Sequence, residues 1–132
     1  MRKYLPIIGL PILVECFNFL IARSVGETSP FIVVSFFVYA FLPLFVGYRA
    51  ALKLDDASLM LCAQLGGVVA VVDFLLAAPI VLFGWPLLPT LKHEPVAVGA
   101  FAVSSGLSLI YTAMLGALGG YAGRSWAKCK QA

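Results

Sequence analysis

Long apolar stretches, separated by short polar or proline-rich breaks, make up most of the chain. None of them alternates between apolar and polar residues as a half-buried strand does. Each is close to the roughly 20 residues that a helix needs to cross the hydrocarbon core of a bilayer. Because backbone groups in lipid must be hydrogen-bonded within a helix or a closed barrel, such runs predict helices and exclude a barrel. We predict transmembrane helices over residues 4–22, 31–48, 57–78 and 96–121.

The breaks between these stretches are polar or rich in proline. Residues 23–30 read "RSVGETSP", and residues 49–56 read "RAALKLDD", whose Asp55 and Asp56 suit the start of a helix. Residues 79–95 contain four prolines, which predicts a kinked helix end and an interfacial loop with Trp85 at the headgroups.

Composition agrees with a single membrane domain over residues 1–132. The chain is 62% hydrophobic and 11% charged, whereas soluble domains are roughly 25% charged. Four spans with short loops leave almost no residues for a water-soluble catalytic domain. We therefore predict an all-α integral membrane protein, a four-transmembrane-helix bundle in contact with the lipid bilayer.

The basic residues predict an orientation. With four spans, seven of the nine lie on one side and only Arg23 and Lys92 on the other. The seven are Arg2, Lys3, Arg49, Lys53, Arg124, Lys128 and Lys130. Because cytoplasmic loops collect Lys and Arg, we expect a multi-pass protein of the cell (plasma or inner) membrane with both termini cytoplasmic.

The first segment has a second interpretation. Residues 1–24 begin with the basic "MRKYLP" and offer a cleavage site at Ala22–Ser24, so they could form a signal peptide. Glu15 and Asn18 make a poor signal core, which favours a retained helix.

Glu15 is the main candidate for function. A charged side chain at a helix centre costs about 2.5 to 3.5 kcal/mol, so Glu15 should face protein or water rather than lipid. Asn18 shares its helix face, and Asp73 is the other acid deep in a span. One hypothesis makes Glu15, Asn18 and Asp73 a proton or cation site. The other is an interhelical hydrogen bond from a neutral Glu15, and for Asp73, which lies nearer the outer interface, we favour a structural role.

The fourth segment carries a ladder of small residues at four-residue spacing: Ala100, Ser104, Ser108, Thr112, Gly116 and Gly120. In lipid, small residues let helix backbones approach closely, so this ladder predicts helix packing. The partner could be an internal helix, a second copy of the chain or a larger membrane complex. The aromatic residues of the second segment, Tyr39 among them, are interpreted as lipid-facing or gap-filling.

Motifs for other chemistry are missing from the sequence. It has no phosphate-binding loop, no H-E-x-x-H, no C-x-x-C and no cluster of His or Cys ligands. We therefore expect no cofactor, no metal site, no nucleic-acid partner and no enzymatic activity.

Two functional hypotheses remain. A four-helix chain with a glutamate in its first helix, in "ILVEC" at residues 12–16, resembles the small multidrug resistance exporters. The resemblance is confined to those residues and the helix count, and we do not assign the chain to that family. It implies a small proton- or cation-coupled transporter or channel subunit that uses Glu15 as its site. The hypothesis that we favour from sequence is a non-catalytic membrane component or accessory subunit.

Overall fold

The computed structural model describes residues 3–25, 30–54, 57–83 and 98–131, and within them the only regular elements are four α-helices. These are α1 (Leu5–Val25), α2 (Phe31–Lys53), α3 (Leu59–Phe83) and α4 (Val98–Gln131). All four are long and apolar enough to cross a membrane. The prediction of an all-helical chain with four such helices is confirmed.

All four helices run further than the hydropathy pattern predicts. α2 continues past residue 48 to Lys53, where the N–H of Leu54 donates to the carbonyl of Ala50. α4 continues past residue 121 to Gln131. Hydropathy marks where apolar character ends, whereas Ala, Leu and Lys extend a helix into a polar environment.

The start of the predicted kinked helix end at Pro79 is helical in the structure. α3 runs through Pro79 to Phe83, and the remainder of the proline-rich segment, with Trp85, lies outside the described residues. Asp55 and Asp56 also lie outside them. At the start of α3, the Ser58 hydroxyl accepts a hydrogen bond from the Leu61 N–H at 3.0 Å, which is a serine cap.

The helices alternate in direction along the bundle. One buried cluster joins Ile7 near the start of α1 to Val46 near the end of α2 and Cys62 near the start of α3. Gly120, towards the end of α4, also lies against Cys62. We call this end of the bundle, where α1 and α3 begin and α2 and α4 end, the terminal end. The far end, where α2 and α4 begin, is the opposite end.

Glycines bring α4 into backbone contact with α2 and α3. A Cβ built on Gly66 of α3 would lie 2.7 Å from the Gly116 Cα of α4. Gly47 of α2 lies against the carbonyl of the same Gly116. Only a residue without a side chain permits this approach, so the ladder predicted on the fourth segment supplies an internal helix interface.

The ladder is buried only over part of its length. Thr112, Gly116 and Gly120 are buried, whereas Ala100 and Ser104 are exposed. Four residues of α-helix turn through about 400°, so each step of the ladder rotates by about 40° around the helix. Over three steps, the ladder therefore leaves the face that packs against α2 and α3.

Large apolar side chains cover much of the outer surface. Phe37 is 67% exposed, and similar residues lie on every helix, including Leu10, Leu75 and Leu107. Soluble monomers rarely expose such contiguous apolar surface. Together with the four apolar helices, this surface suggests a membrane protein.

Candidate functional site

A cavity of about 400 Å³ lies in the half of the bundle towards the opposite end. All four helices line it, although α1 packs against α2 and α3 and not against α4 in the described residues. Its polar lining residues are Glu15, Asn18, Ser35, Tyr39, Asp73 and Ser108. Thus the three sequence-predicted ion-site residues, Glu15, Asn18 and Asp73, share one cavity.

Glu15 is the most deeply buried of these polar groups. It is only 1% exposed, and its Oε2 has no hydrogen-bond partner among the described residues. A buried oxygen without a partner costs folding free energy, so native structures leave few of them. Glu15 thus contributes to the cavity lining a carboxyl group with one oxygen that no described residue hydrogen-bonds.

Asn18 lies one turn along α1 from Glu15, on the same face. Its Nδ2 donates to the Ser35 carbonyl of α2 at 3.2 Å, and its amide also lies against the Glu15 carboxyl. The bond to α2 fixes the Asn18 side chain, and through it the wall of the cavity beside Glu15. The three-residue spacing places the two side chains on one helix face.

Asp73 reaches the cavity from α3. It is half-buried and lies close enough to Glu15 for the two carboxyl groups to interact electrostatically. Its helix face is otherwise buried and is made of small residues: Cys62, Gly66, Ala70 and Ala77. These small residues let neighbouring helices pack closely on α3 and leave Asp73 as the charged group of that face.

Tyr39 and Ser108 close one wall of the cavity. Their hydroxyl groups share a hydrogen bond that joins α2 to α4. The sequence predicts Ser108 in a packing ladder and Tyr39 among lipid-facing or gap-filling aromatic residues, and their pairing is not predicted. A signal is nevertheless present, because Ser35 and Tyr39 are four residues apart and are the polar side chains of the first half of α2.

The cavity has a rim and a base. Phe36 and Ile32, near the start of α2, are exposed, whereas Glu15 and Phe19 are buried. The exposed part of the cavity lining therefore lies towards the opposite end of the bundle. Towards the terminal end, the buried cluster that contains Ile7 and the glycine contacts of α4 fill the space between the helices.

The chemistry of the lining groups is uniform. Two carboxyl groups, an amide and three hydroxyl groups present oxygen atoms, which bind protons and hard cations. Among the described residues, no group of three or more His, Cys, Asp or Glu side chains could hold a metal ion. His93 lies outside those residues. The arrangement can exchange a proton or hold a cation beside Glu15.

Comparisons with known proteins give no match: no protein-family model, no curated protein and no solved structure is significantly similar to this chain.

Proposed function

We propose that the protein is a multi-pass integral membrane protein whose cavity binds a proton or cation at Glu15, as part of transport across the membrane. The four helices span the bilayer as one domain, and the segment that contains Glu15 is retained as α1. The bias of seven basic residues against two supports a cytoplasmic location for both termini. The cavity then opens towards the non-cytoplasmic side.

The observation that carries this proposal is the unpartnered Oε2 of Glu15, in a side chain only 1% exposed, within a cavity that Asp73 also lines. A purely structural glutamate would be expected to have both oxygens paired. Ionisable groups inside membrane segments commonly mark ion pathways or proton relays.

The closed terminal end favours a carrier over a continuously open pore. A carrier exposes its site to one side at a time, and its helices then rearrange to expose it to the other. For the site to open to the cytoplasm, the contacts of Gly116 with Gly47 and Gly66 would have to slide or separate.

The experiment replaces Glu15→Gln, which keeps the shape and removes the charge. Purified wild-type and variant proteins are reconstituted in liposomes, and uptake of protons and Na⁺ is measured over a range of pH. Loss of flux in a variant that elutes and unfolds like the wild type supports the proposal. Ser125→Ala is the control, because Ser125 is exposed and bonds within α4, to the carbonyl of Tyr121. Uptake of protons and Na⁺ by Glu15→Gln equal to that of the wild type would refute the proposal.

A second candidate, a non-catalytic accessory subunit, is favoured by the exposed beginning of α4. Gly99 and Gly106 have open space where a side chain would lie, and Ser104 is exposed nearby. Such a surface allows another helix to approach closely. Two results together would favour this role over transport. Glu15→Gln would show no functional defect, and Gly106→Leu would abolish copurification of a membrane partner.

A further inference from the structure

Positive charge is concentrated at the terminal end of the bundle. All six basic residues whose side chains the structure describes lie there: Lys3, Arg49, Lys53, Arg124, Lys128 and Lys130. The two acidic residues among the described residues, Glu15 and Asp73, belong to the cavity. The sequence adds Arg2 and, between α2 and α3, Asp55 and Asp56, so basic residues outnumber acidic ones in the segments at this end.

The end of α4 extends this charge beyond the packed bundle. Gly123 still packs against Tyr48 and Ala51 of α2. Lys130 follows seven residues later, about 10 Å further along the helix at 1.5 Å per residue. Lys128 and Lys130 are both exposed, so α4 carries its lysines past the point where α2 supports it.

Three of the cations rest over aromatic rings. The Lys130 Nζ lies 5.7 Å from the centre of the Trp126 ring, and the Lys3 Nζ lies 5.2 Å from that of Tyr4. The Arg49 guanidinium lies 5.6 Å from the centre of the Phe45 ring. Tryptophan and tyrosine favour the level of the lipid headgroups, so the pairs at Trp126 and Tyr4 are suited to hold positive charge near the lipid phosphates.

We infer that the terminal end binds the headgroups of anionic phospholipids, with Lys128 and Lys130 beside Trp126 as the main contact. Complementary charge and the interfacial depth of the aromatic rings favour a lipid over an acidic protein. Each Lys or Arg near a membrane surface attracts anionic lipid measurably, and clusters next to a membrane helix are typical binding sites. This inference does not depend on the role of Glu15.

Fluorescence of Trp126 tests the inference directly. Trp126 is 53% exposed, and a Trp85→Phe background leaves it as the single tryptophan. The protein is reconstituted in phosphatidylcholine bilayers that contain either brominated phosphatidylglycerol or brominated phosphatidylcholine, which quench tryptophan on contact. We expect phosphatidylglycerol to be preferred about threefold to fivefold at low salt, and the preference to fall as salt is raised.

Charge variants locate the site. Lys128→Gln with Lys130→Gln should bring the preference close to unity, whereas Lys128→Arg with Lys130→Arg should retain it. Equal quenching by the two lipids in the parent protein would overturn the inference and leave an acidic protein partner as the alternative. A preference that survives the glutamine substitutions would also overturn it, because the lysines would then not be the contact.

Discussion

The carboxyl groups of Glu15 on α1 and Asp73 on α3 line the same cavity and lie within range of each other's charge. They differ in burial, since Glu15 is almost fully buried and Asp73 is half-buried. A cation held by Glu15 would therefore also be attracted by Asp73, from a position nearer to water. This difference leads to a graded prediction for the two acids.

Asp73→Asn should weaken proton and Na⁺ uptake without abolishing it. Removal of one nearby charge at the effective dielectric of a protein should lower the affinity by about tenfold or more. Glu15→Gln should have the larger effect, because it removes the charge and the exchangeable proton of the proposed primary site. Concentration dependence of uptake in liposomes measures both variants. If Asp73→Asn behaved as the wild type while Glu15→Gln was inactive, Asp73 would not belong to the site.

Water should reach the cavity wall but not the lipid-facing side of the same helix. Ser35 lines the cavity and Phe37, two residues along α2, is 67% exposed on the outer surface. In a cysteine-free background, Ser35→Cys should react quickly with a membrane-impermeant thiol reagent added from the non-cytoplasmic side. Phe37→Cys, on the surface that we propose faces lipid, should react slowly. Equal rates at the two positions would contradict the outward opening of the cavity.

The contact between α4 and the central helices should tolerate no added side chain at Gly116. A Cβ there would lie 2.5 Å from the Cys62 carbonyl oxygen and 2.9 Å from the Gly66 Cα. We expect Gly116→Ala to destabilise the protein by about 1–3 kcal/mol, measured by unfolding in detergent.

Gly106 of the same helix is the matched control for this substitution. A Cβ placed on Gly106 would meet no atom of the described residues within 4 Å, so Gly106→Ala should leave stability unchanged or raise it slightly. Similar losses for Gly116→Ala and Gly106→Ala would show that the close contact at Gly116 does not determine the effect.

The hydrogen bond between Tyr39 and Ser108 should couple α2 to α4. Tyr39→Phe and Ser108→Ala each remove it, so their effects on the free energy of unfolding should overlap in the double variant. Hydrogen bonds between membrane helices average about 0.6 kcal/mol in such cycles and reach about 1.7 kcal/mol. Strictly additive effects of the two substitutions would indicate that the bond contributes nothing to stability.

The number and approximate positions of the helices could be predicted because apolar length alone determines which segments can cross a bilayer. The ends of the helices could not be predicted in this way, because Lys53 and Gln131 lie in polar sequence that is still helical. Pro79 likewise does not end α3. A proline within an apolar segment loses one backbone bond, and neighbouring groups in a membrane helix can compensate for it.

The candidate site could be predicted only in part. The pairing of Asn18 with Glu15 follows from spacing within one helix. The proximity of Asp73 depends on how α3 is rotated and tilted against α1, which side-chain spacing within either helix does not determine. The contact between Tyr39 and Ser108 likewise depends on how α2 and α4 are rotated and tilted against each other. Each residue alone is ordinary for a membrane helix.

The most direct test of the central claim, that the buried Glu15 carboxyl receives a proton or cation in the cavity, is infrared difference spectroscopy of the reconstituted protein. Spectra are recorded before and after a change of pH or the addition of Na⁺, for the wild type and for Glu15→Gln. The account predicts a change in a carboxyl or carboxylate band that is present in the wild type and absent from the variant. Identical difference spectra for the two proteins would contradict it.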